Sequence, residues 1–384
     1  MEENKHSARP GSGRVSLWHR PMWWANGLAV LLLLATYAAP HTSPRTLWVL
    51  ALLAMSYPYQ LLVHAFFLVW WFLFRRKRML ASAIVLLAGW GHFTDHVQLL
   101  ARDAPEQAVR GDGVKVLSWN VRLFDLYNWS HNKETRDEIF AVLEREDAGI
   151  LCLQEFFHSG NERFFRTKDA LVDELGYGAM HVRYSAKARM DQHFGIATFS
   201  KFPIIGKGAI EFPDNPSNQC IWSDIALDND TIRVYNAHLA SYHFGGDDYR
   251  FIDSLDTDTR SEELKRGGLR ILKLLRRGFR LRADEVERIA AHMAESPHPV
   301  LYCGDMNDVP MSYSYHTLRH DRLDAFVESG SGSGGTYIGK LPSLRIDHIL
   351  HDPALHSWGF RTLPEKLSDH KAVVCYLAPL PPGN

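Results

Sequence analysis

Residues 299–310 read PVLYCGDMNDVP. An apolar, β-prone run, Val300–Cys303, meets a glycine and then polar residues, the pattern of a buried strand ending at a turn. Asp305 and Asn307 stand two apart beyond the run, so both side chains can point the same way. Asp308, Val309 and Pro310 end the strand. A carboxylate at such a strand end can orient or deprotonate a water, and a neighbouring amide can hold that water in line. An Asx-rich turn has the same letters, so the stretch gains chemical meaning only in company.

The company is present. Ser118-Trp119-Asn120 follows the run Val114–Leu117, and Gln154-Glu155 follows Gly149–Leu153. Asn236-Ala237-His238 follows Thr231–Tyr235. Asp347-His348 precedes Ile349-Leu350, and Ser368-Asp369-His370 precedes Ala372–Leu377. Residues able to bind metal or move protons thus recur at the ends of apolar runs along the chain.

The ordered set SWN, LQE, NAHL, GDMND, RIDHI and SDH resembles the endonuclease/exonuclease/phosphatase superfamily, from about Gly113 to about Leu377. The resemblance implies an α/β fold, a four-layer sandwich of two packed mixed β-sheets flanked by helices. It also implies a metal-dependent phosphoric ester hydrolase. In that reading Asn120 and Glu155 hold a divalent metal, with Asp369 contributing to the metal region. Asp305 orients or deprotonates the attacking water, and Asn307 positions that water and the phosphate. His370 contacts the phosphoryl group, and Asp347 fixes its imidazole. His238 binds phosphate or assists the leaving oxygen. Oxygen donors of this kind suit Mg²⁺ or Mn²⁺, whereas His/Cys clusters suit zinc. Apurinic endonucleases carry an acid where this chain has Arg122, and a different signature at Asn236–Leu239. The Asn-x-Arg and His-Leu patterns are closer to deoxyribonuclease I and the sphingomyelinases. Arg122 has the fork that suits a substrate phosphate.

Composition bears on the substrate. The 384 residues carry a net charge of −1, but unevenly. Residues 1–110 hold eleven Lys/Arg against five Asp/Glu, which leaves 32 against 39 for the remainder. An acidic domain is a poor non-specific DNA binder, because that affinity comes from neutralising phosphates. The four cysteines form no CxxC or zinc pattern, and Cys152, Cys303 and Cys375 lie in apolar runs as buried thiols.

The chain divides into a basic N-terminus (1–22), a membrane anchor (23–99), a linker (100–112) and a catalytic domain (113–378). The N-terminus lacks a small-residue cleavage site. Ala25–Ala39, extended by Trp23 and Trp24, is long enough to span a bilayer, and Leu47–Phe74 exceeds the span length, with Pro58 inside as a point of kinking. Met79–Phe93 is a third, shorter apolar stretch. Basic residues favour the cytoplasmic side, so Arg75–Arg78 belongs inside. Three crossings then place the catalytic domain outside the cytoplasm; two place it inside. Three short spans without a charge-lined path do not make a transporter.

Beyond the linker, strands are expected at Val114–Trp119, Gly149–Leu153 and Phe194–Ser200, with a hairpin from Ile221–Leu227 and Thr231–Leu239. Helices are expected at Lys133–Glu146, Asp169–Leu175 and Glu262–His292. Eight basic residues from Lys265 to Arg282 make the last of these a solvated face, a dock for anionic lipid, or a contact for substrate phosphate. Ser241–Asp258 reads as a mobile loop, and Gly330–Gly335 as a flexible one near the site mouth.

The reading is a multi-pass protein of the cell membrane: an anchored phosphoesterase dependent on Mg²⁺ or Mn²⁺. Its partners are the lipid bilayer and a phosphoester substrate, a phospholipid or a small phosphorylated molecule. A membrane-anchored nuclease is the alternative within the class, with nucleic acid the less favoured partner. A catalytically silent anchored binding module is the alternative outside it.

Overall fold

The computed structural model describes residues 19–99, 113–228, 230–242, 244, 245, 248, 251, 261–339 and 343–379. The linker and most of the expected loop at 241–258 and of the N-terminal 1–22 lie outside the described residues.

Two six-stranded sheets pack face to face. The first contains β1 (Val114–Asn120), β2 (Ile150–Ser159), β3 (Ala179–Ala188) and β4 (Gln192–Ser200), with β11 (Leu355–Thr362) and β12 (Val373–Pro379), in the order β11-β12-β1-β2-β4-β3. The second contains β5 (Ile204–Ile210), β6 (Gln219–Ala226), β7 (Thr231–His238), β8 (Val300–Asp305), β9 (Leu323–Asp324) and β10 (Asp347–His351), in the order β5-β6-β7-β8-β10-β9. Each sheet is mixed, with one parallel pair at its centre, β1–β2 and β7–β8.

The continuous apolar runs follow from burial on both faces. In β8, Leu301 and Cys303 join Val116, Ile150 and Cys152 in the core between the sheets. Val300 and Tyr302, alternating with them, pack outward with Val286, Ile289 and Met293 of the long helix Ser261–Ala294. On the opposite side, Leu117, Trp119, Leu151 and Leu153 pack on Ile139, Val142 and Leu143 of the helix Thr135–Glu146. The layers therefore run helix, sheet, sheet, helix. All four cysteines are buried and free.

Several strands differ from expectation. β3, β5 and β11 were not legible in the sequence. β3 is a half-exposed edge strand with little apolar pattern, and β11 is broken by a register shift between Trp358 and Arg361. Gly330–Gly335 is pinned: Gln98 N donates to Gly332 O and Gly332 N returns the bond to Gln98 O, at 2.9 and 2.7 Å.

The N-terminal apolar stretches are helical, but are cut differently from expectation. α1 spans His19–Thr36. The stretch 47–74 breaks at Trp48 and Ser56, so α2 (Pro44–Leu47) and α3 (Val49–Met55) precede α4 (Tyr57–Phe74). Pro58 lies in the first turn of α4, where its missing N–H costs nothing, rather than kinking a span. The third stretch breaks at Gly89 into α5 (Met79–Ala88) and α6 (Trp90–His96). Two segments, His19–His41 and Tyr57–Phe74, are long and apolar enough to cross a membrane. At one end of this bundle, Arg78 donates to His19 O at 3.0 Å. At the other, Leu33, Ala39, Ala54, Tyr57 and Val85 form one apolar cluster with Val309, Met311 and Ile346 of the sandwich.

The bundle is apolar outside, and inside it buries a small polar group beside Leu33, Phe67, Trp71 and Val85. Ser82 donates to Asn26 Oδ1 at 2.8 Å, and His64 Nδ1 lies 3.0 Å from Ser82 Oγ, all three residues being buried. Trp24, Leu31, Leu62, Val69, Leu73 and Ile84 are largely exposed.

One buried cation joins bundle to sandwich. Arg345 pairs with Asp324 Oδ2 at 2.8 Å and donates to the Asp95 carbonyl of α6 at 2.7 Å. Burial pushes the Asp324 carboxyl up, but Arg345 outweighs it and holds the group below the usual carboxylate range. Arg345→Met leaves Asp324 charged and unpaired, and is expected to cost roughly 3–5 kcal/mol. Denaturant unfolding in detergent measures this, with Arg345→Met/Asp324→Leu losing less. A single-variant loss below about 1 kcal/mol would refute the pairing's importance.

Candidate active site

The six motifs meet at one end of the two sheets. Asn120 ends β1, His238 ends β7 and Asp305 ends β8, while Asp347 opens β10. Because β10 runs antiparallel to β8, Asp347 stands directly opposite Asp305. β7 and β8 approach closely here. A Cβ on Gly304 would drive into the Ala237 backbone, which is why this position is glycine.

Glu155 reaches the site through a bulge. Leu151 and Leu153 face the outer helix, and strict alternation would send residue 155 after them. The register with β4 shifts between Leu153 and Phe156, and Glu155 takes φ 47°. This strained left-handed backbone re-aims the carboxylate to the sheet end. Asn307 is also left-handed, at φ 51°. Its backbone N–H donates to Asp305 Oδ1 at 2.8 Å, and its side chain donates to Leu239 O at 3.0 Å.

The side chains converge. Asn120 Nδ2 donates to Glu155 Oε1 and to Asp305 Oδ2, both at 3.1 Å. His370 Nδ1 bonds Asp347 Oδ2 at 2.9 Å. His370 Nε2 stands 3.6 Å, and His238 Nε2 3.7 Å, from Asp305 Oδ2. These two gaps are too long for hydrogen bonds, so both imidazoles and the carboxylate face a shared space. That space is a cavity of about 220 Å³ lined by Glu155, His238, Asp305, Asn307, Asp369 and His370 among others.

Electrostatics divide the labour. Burial pushes the Asp305 carboxyl up, and the neighbouring His370 offsets part of this. Burial pushes His370 down, but the Asp347 and Asp305 carboxylates outweigh it and hold the imidazole well above its ordinary value. His370 is then a cation and a donor. One donor atom each from Asp305, Asp347 and His370 lies within 4.8 Å of the others, a group that could hold a metal ion. The carboxylate oxygens of Glu155 and Asp305 offer a hard divalent cation a second place, while Asn120 turns its Nδ2 to them and accepts from Arg122 N at Oδ1.

Arg122 and Asp369 sit together at the margin. Arg122 stacks over Trp129 at 4.6 Å, and its Nε lies 3.5 Å from Asp369 Oδ2. Asp369 lines the cavity; Arg122 is not among its lining residues.

Sequence reasoning missed the supports. Arg282, read with the basic helix face, is fully buried. It donates to Ala240 O and to Tyr242 Oη, and its Nε lies 3.2 Å from Asp308 Oδ2. Glu285, one turn on, accepts from Ala240 N at 2.8 Å. Together they grip both sides of the residue two beyond His238. An Arg and a Glu three apart among Phe279, Ala283 and Val286 were the available signal. The buried amides Gln154 and Asn236, 2.8 Å apart, tie the sheets beneath the site.

Fold and site define an α/β sandwich with acid, amide and imidazole groups gathered at the sheet ends. Residues 117–370 match the Endonuclease/Exonuclease/phosphatase family, and the chain belongs to it. Members of this family are metal-dependent phosphoester hydrolases. Residues 19–96 match a separate domain of unknown function, DUF8431. The CCR4-Not complex 3'-5'-exoribonuclease subunit Ccr4 of Aspergillus niger is 26% identical over 297 residues, 68% of this chain and 41% of that one. The chain thus spans about two-fifths of that curated relative's length. Among solved structures, the human Nocturnin catalytic domain with bound sulfate is similar at 17% identity, covering 70% of this chain and 94% of that one, with a TM-score of 0.49. A D. rerio TDP2 complex with single-strand DNA product is similar at 14% identity, covering 70% and 99%, with a TM-score of 0.47.

In metal-free protein, Asp347→Asn is expected to bring the His370 pKa down towards the ordinary imidazole value, about 6.5. NMR titration of the His370 ring reads this directly. An unchanged titration would mean that Asp347 does not set the charge.

Proposed function

We propose that this chain is a membrane-anchored phosphoesterase that uses Mg²⁺ or Mn²⁺ to hydrolyse a phosphodiester or phosphomonoester by attack of water. The observation that carries this reading is the convergence of Glu155, His238, Asp305, Asn307 and His370 on one cavity. Glu155 would hold the metal, helped by Asn120, whose Nδ2 orients the Glu155 carboxylate, with Asp369 at the edge of the metal region. Bound there, the ion supplies positive charge to the phosphoryl oxygens.

Asp305 orients the attacking water and accepts its proton. Burial suits it to the task, because a carboxyl pushed up is a stronger base nearer neutral pH. Asn307 holds the turn that aims Asp305 and positions the water and the phosphate. His370, charged by Asp347, donates to a phosphoryl oxygen as negative charge builds there. His238 faces the same space and assists the leaving oxygen. Arg122, at the margin beside Asp369, is placed to meet a substrate phosphate with its remaining N–H groups.

The exposed apolar surface of the bundle supports anchoring. A core helix of a soluble protein is mostly buried, but the two long helices bury only 28% and 22% of their apolar windows. Interhelical bonds among Asn26, His64 and Ser82 are of the kind that hold helices together in lipid. A nuclease is the second reading, favoured by the similarity to the exoribonuclease subunit Ccr4. Salt-sensitive cleavage of RNA or DNA distinguishes it.

Asp305→Ala is expected to lower kcat by about a hundredfold or more with circular dichroism unchanged, in an EDTA-sensitive assay on a chromogenic phosphodiester. Near-full activity would remove Asp305 from the mechanism.

Sidedness follows from the bundle's polarity. Arg75–Arg78 lies at the end away from the sandwich, and the chain returns along α5 and α6 to Asp95, which pairs with Arg319. Counting that return as a third pass, with the basic end inside, supports a catalytic domain outside the cytoplasm, although only two segments are long and apolar enough to cross by themselves. A C-terminal alkaline phosphatase fusion is expected to be active and a green fluorescent protein fusion dark. The reverse pattern would overturn the orientation.

A further inference from the structure

The catalytic cavity has two unlike sides. One carries the acid, amide and imidazole groups already described. The other is apolar: Tyr242, Phe244, Val309, Leu344 and Ile346 from the sandwich, and Met55 from the N-terminal bundle. Met55 ends α3, two residues before the long helix α4, and Tyr242 Oη lies 3.3 Å from its sulfur. Val309 and Ile346 also belong to the apolar cluster that holds Leu33, Ala54, Tyr57 and Val85 of the bundle. The apolar wall of the cavity is thus continuous with the helices proposed to enter the bilayer.

A second feature lies at the same end. In the long helix Ser261–Ala294, Asp284 and Glu287 pair with Arg45 of α2. At Gly278 the helix passes against the ring of Tyr242. Just before that point it carries exposed Lys273, Arg276 and Arg277 beside exposed Leu269 and Leu272. A basic and apolar segment of this kind suits an anionic headgroup layer.

We infer that the substrate is a lipid whose phosphoester headgroup enters this cavity from the bilayer holding the bundle, its apolar portion lying along the Met55 wall. This inference rests on the phosphoesterase reading and narrows it. A small soluble phosphoester has no use for an apolar wall shared with a membrane helix. A nucleic acid strand calls for a groove that grips its backbone with cations, and none of the described residues lining the cavity is Lys or Arg. A phosphoryl group at one end and hydrocarbon at the other match both sides at once.

The test uses the full chain reconstituted with Mg²⁺ in vesicles of phosphatidylcholine, phosphatidylglycerol and sphingomyelin. Glycerophosphocholine and a chromogenic phosphodiester are assayed in parallel. Headgroup release from vesicle lipid is expected to exceed glycerophosphocholine hydrolysis in kcat/KM by roughly tenfold or more. Met55→Glu is expected to shrink that ratio by a similar factor, and Met55→Leu to restore it. Equal turnover of lipid and glycerophosphocholine would overturn the inference, as would a ratio indifferent to Met55→Glu. Cleavage of the chromogenic diester with none of the lipid would overturn it and leave the phosphoesterase reading standing. No turnover of any phosphoester would remove both.

Discussion

The site depends on one amide. Asn120 sits on the first sheet, and its Nδ2 bonds Glu155 of the same sheet and Asp305 of the second. The bond to Asp305 crosses the gap between the sheets, which apolar packing alone would leave free to slide. Below it, Gln154 donates to Asn236 across the same gap. Packed cores tolerate changes of side chain when volume is conserved, but buried polar groups tolerate only their partners. These two amide links therefore fix how the sheets meet, and with that the spacing of every group at the sheet ends. The bulge at Glu155 and the close β7–β8 contact at Gly304 add to the same constraint from each side.

What was legible in the sequence was what the chain carries locally. Val300–Cys303 followed by Gly304-Asp305 announces a buried strand and its polar end, because both faces of that strand are apolar and the turn chemistry is short-range. The same holds at Asn120, His238 and Asp347. Glu155 was legible as a residue, but its bulge was not, since a register shift is a property of two strands. The edge strand β3 was missed because half of it faces water and has no apolar pattern to show. Met55 and Tyr242 were missed for another reason. They reach the cavity from far-apart segments, and no local period marks a wall assembled by tertiary packing. Arg282 was misread because a basic residue in a basic helix looks solvated until its partners, Asp308 and Ala240, are known.

The N-terminal bundle differs from the sandwich on its outer face. In the sandwich, apolar side chains are driven inward by water. In the bundle, Asn26, His64 and Ser82 are buried beside Leu33, Phe67, Trp71 and Val85, and further Leu, Phe, Val and Trp side chains cover the outside. The two halves share an apolar cluster and a buried ion-paired arginine, so they meet through contacts of both kinds.

That meeting has a consequence for how such a chain can be assembled by descent. The guanidinium of Arg345, inside the sandwich, uses a backbone carbonyl of the bundle, Asp95 O, as one of its partners. A different anchor spliced onto the same sandwich would have to present a carbonyl at that point or strand the cation. The two modules are thus not a tether and its cargo. They are interdependent parts, and changes in one are filtered through the other.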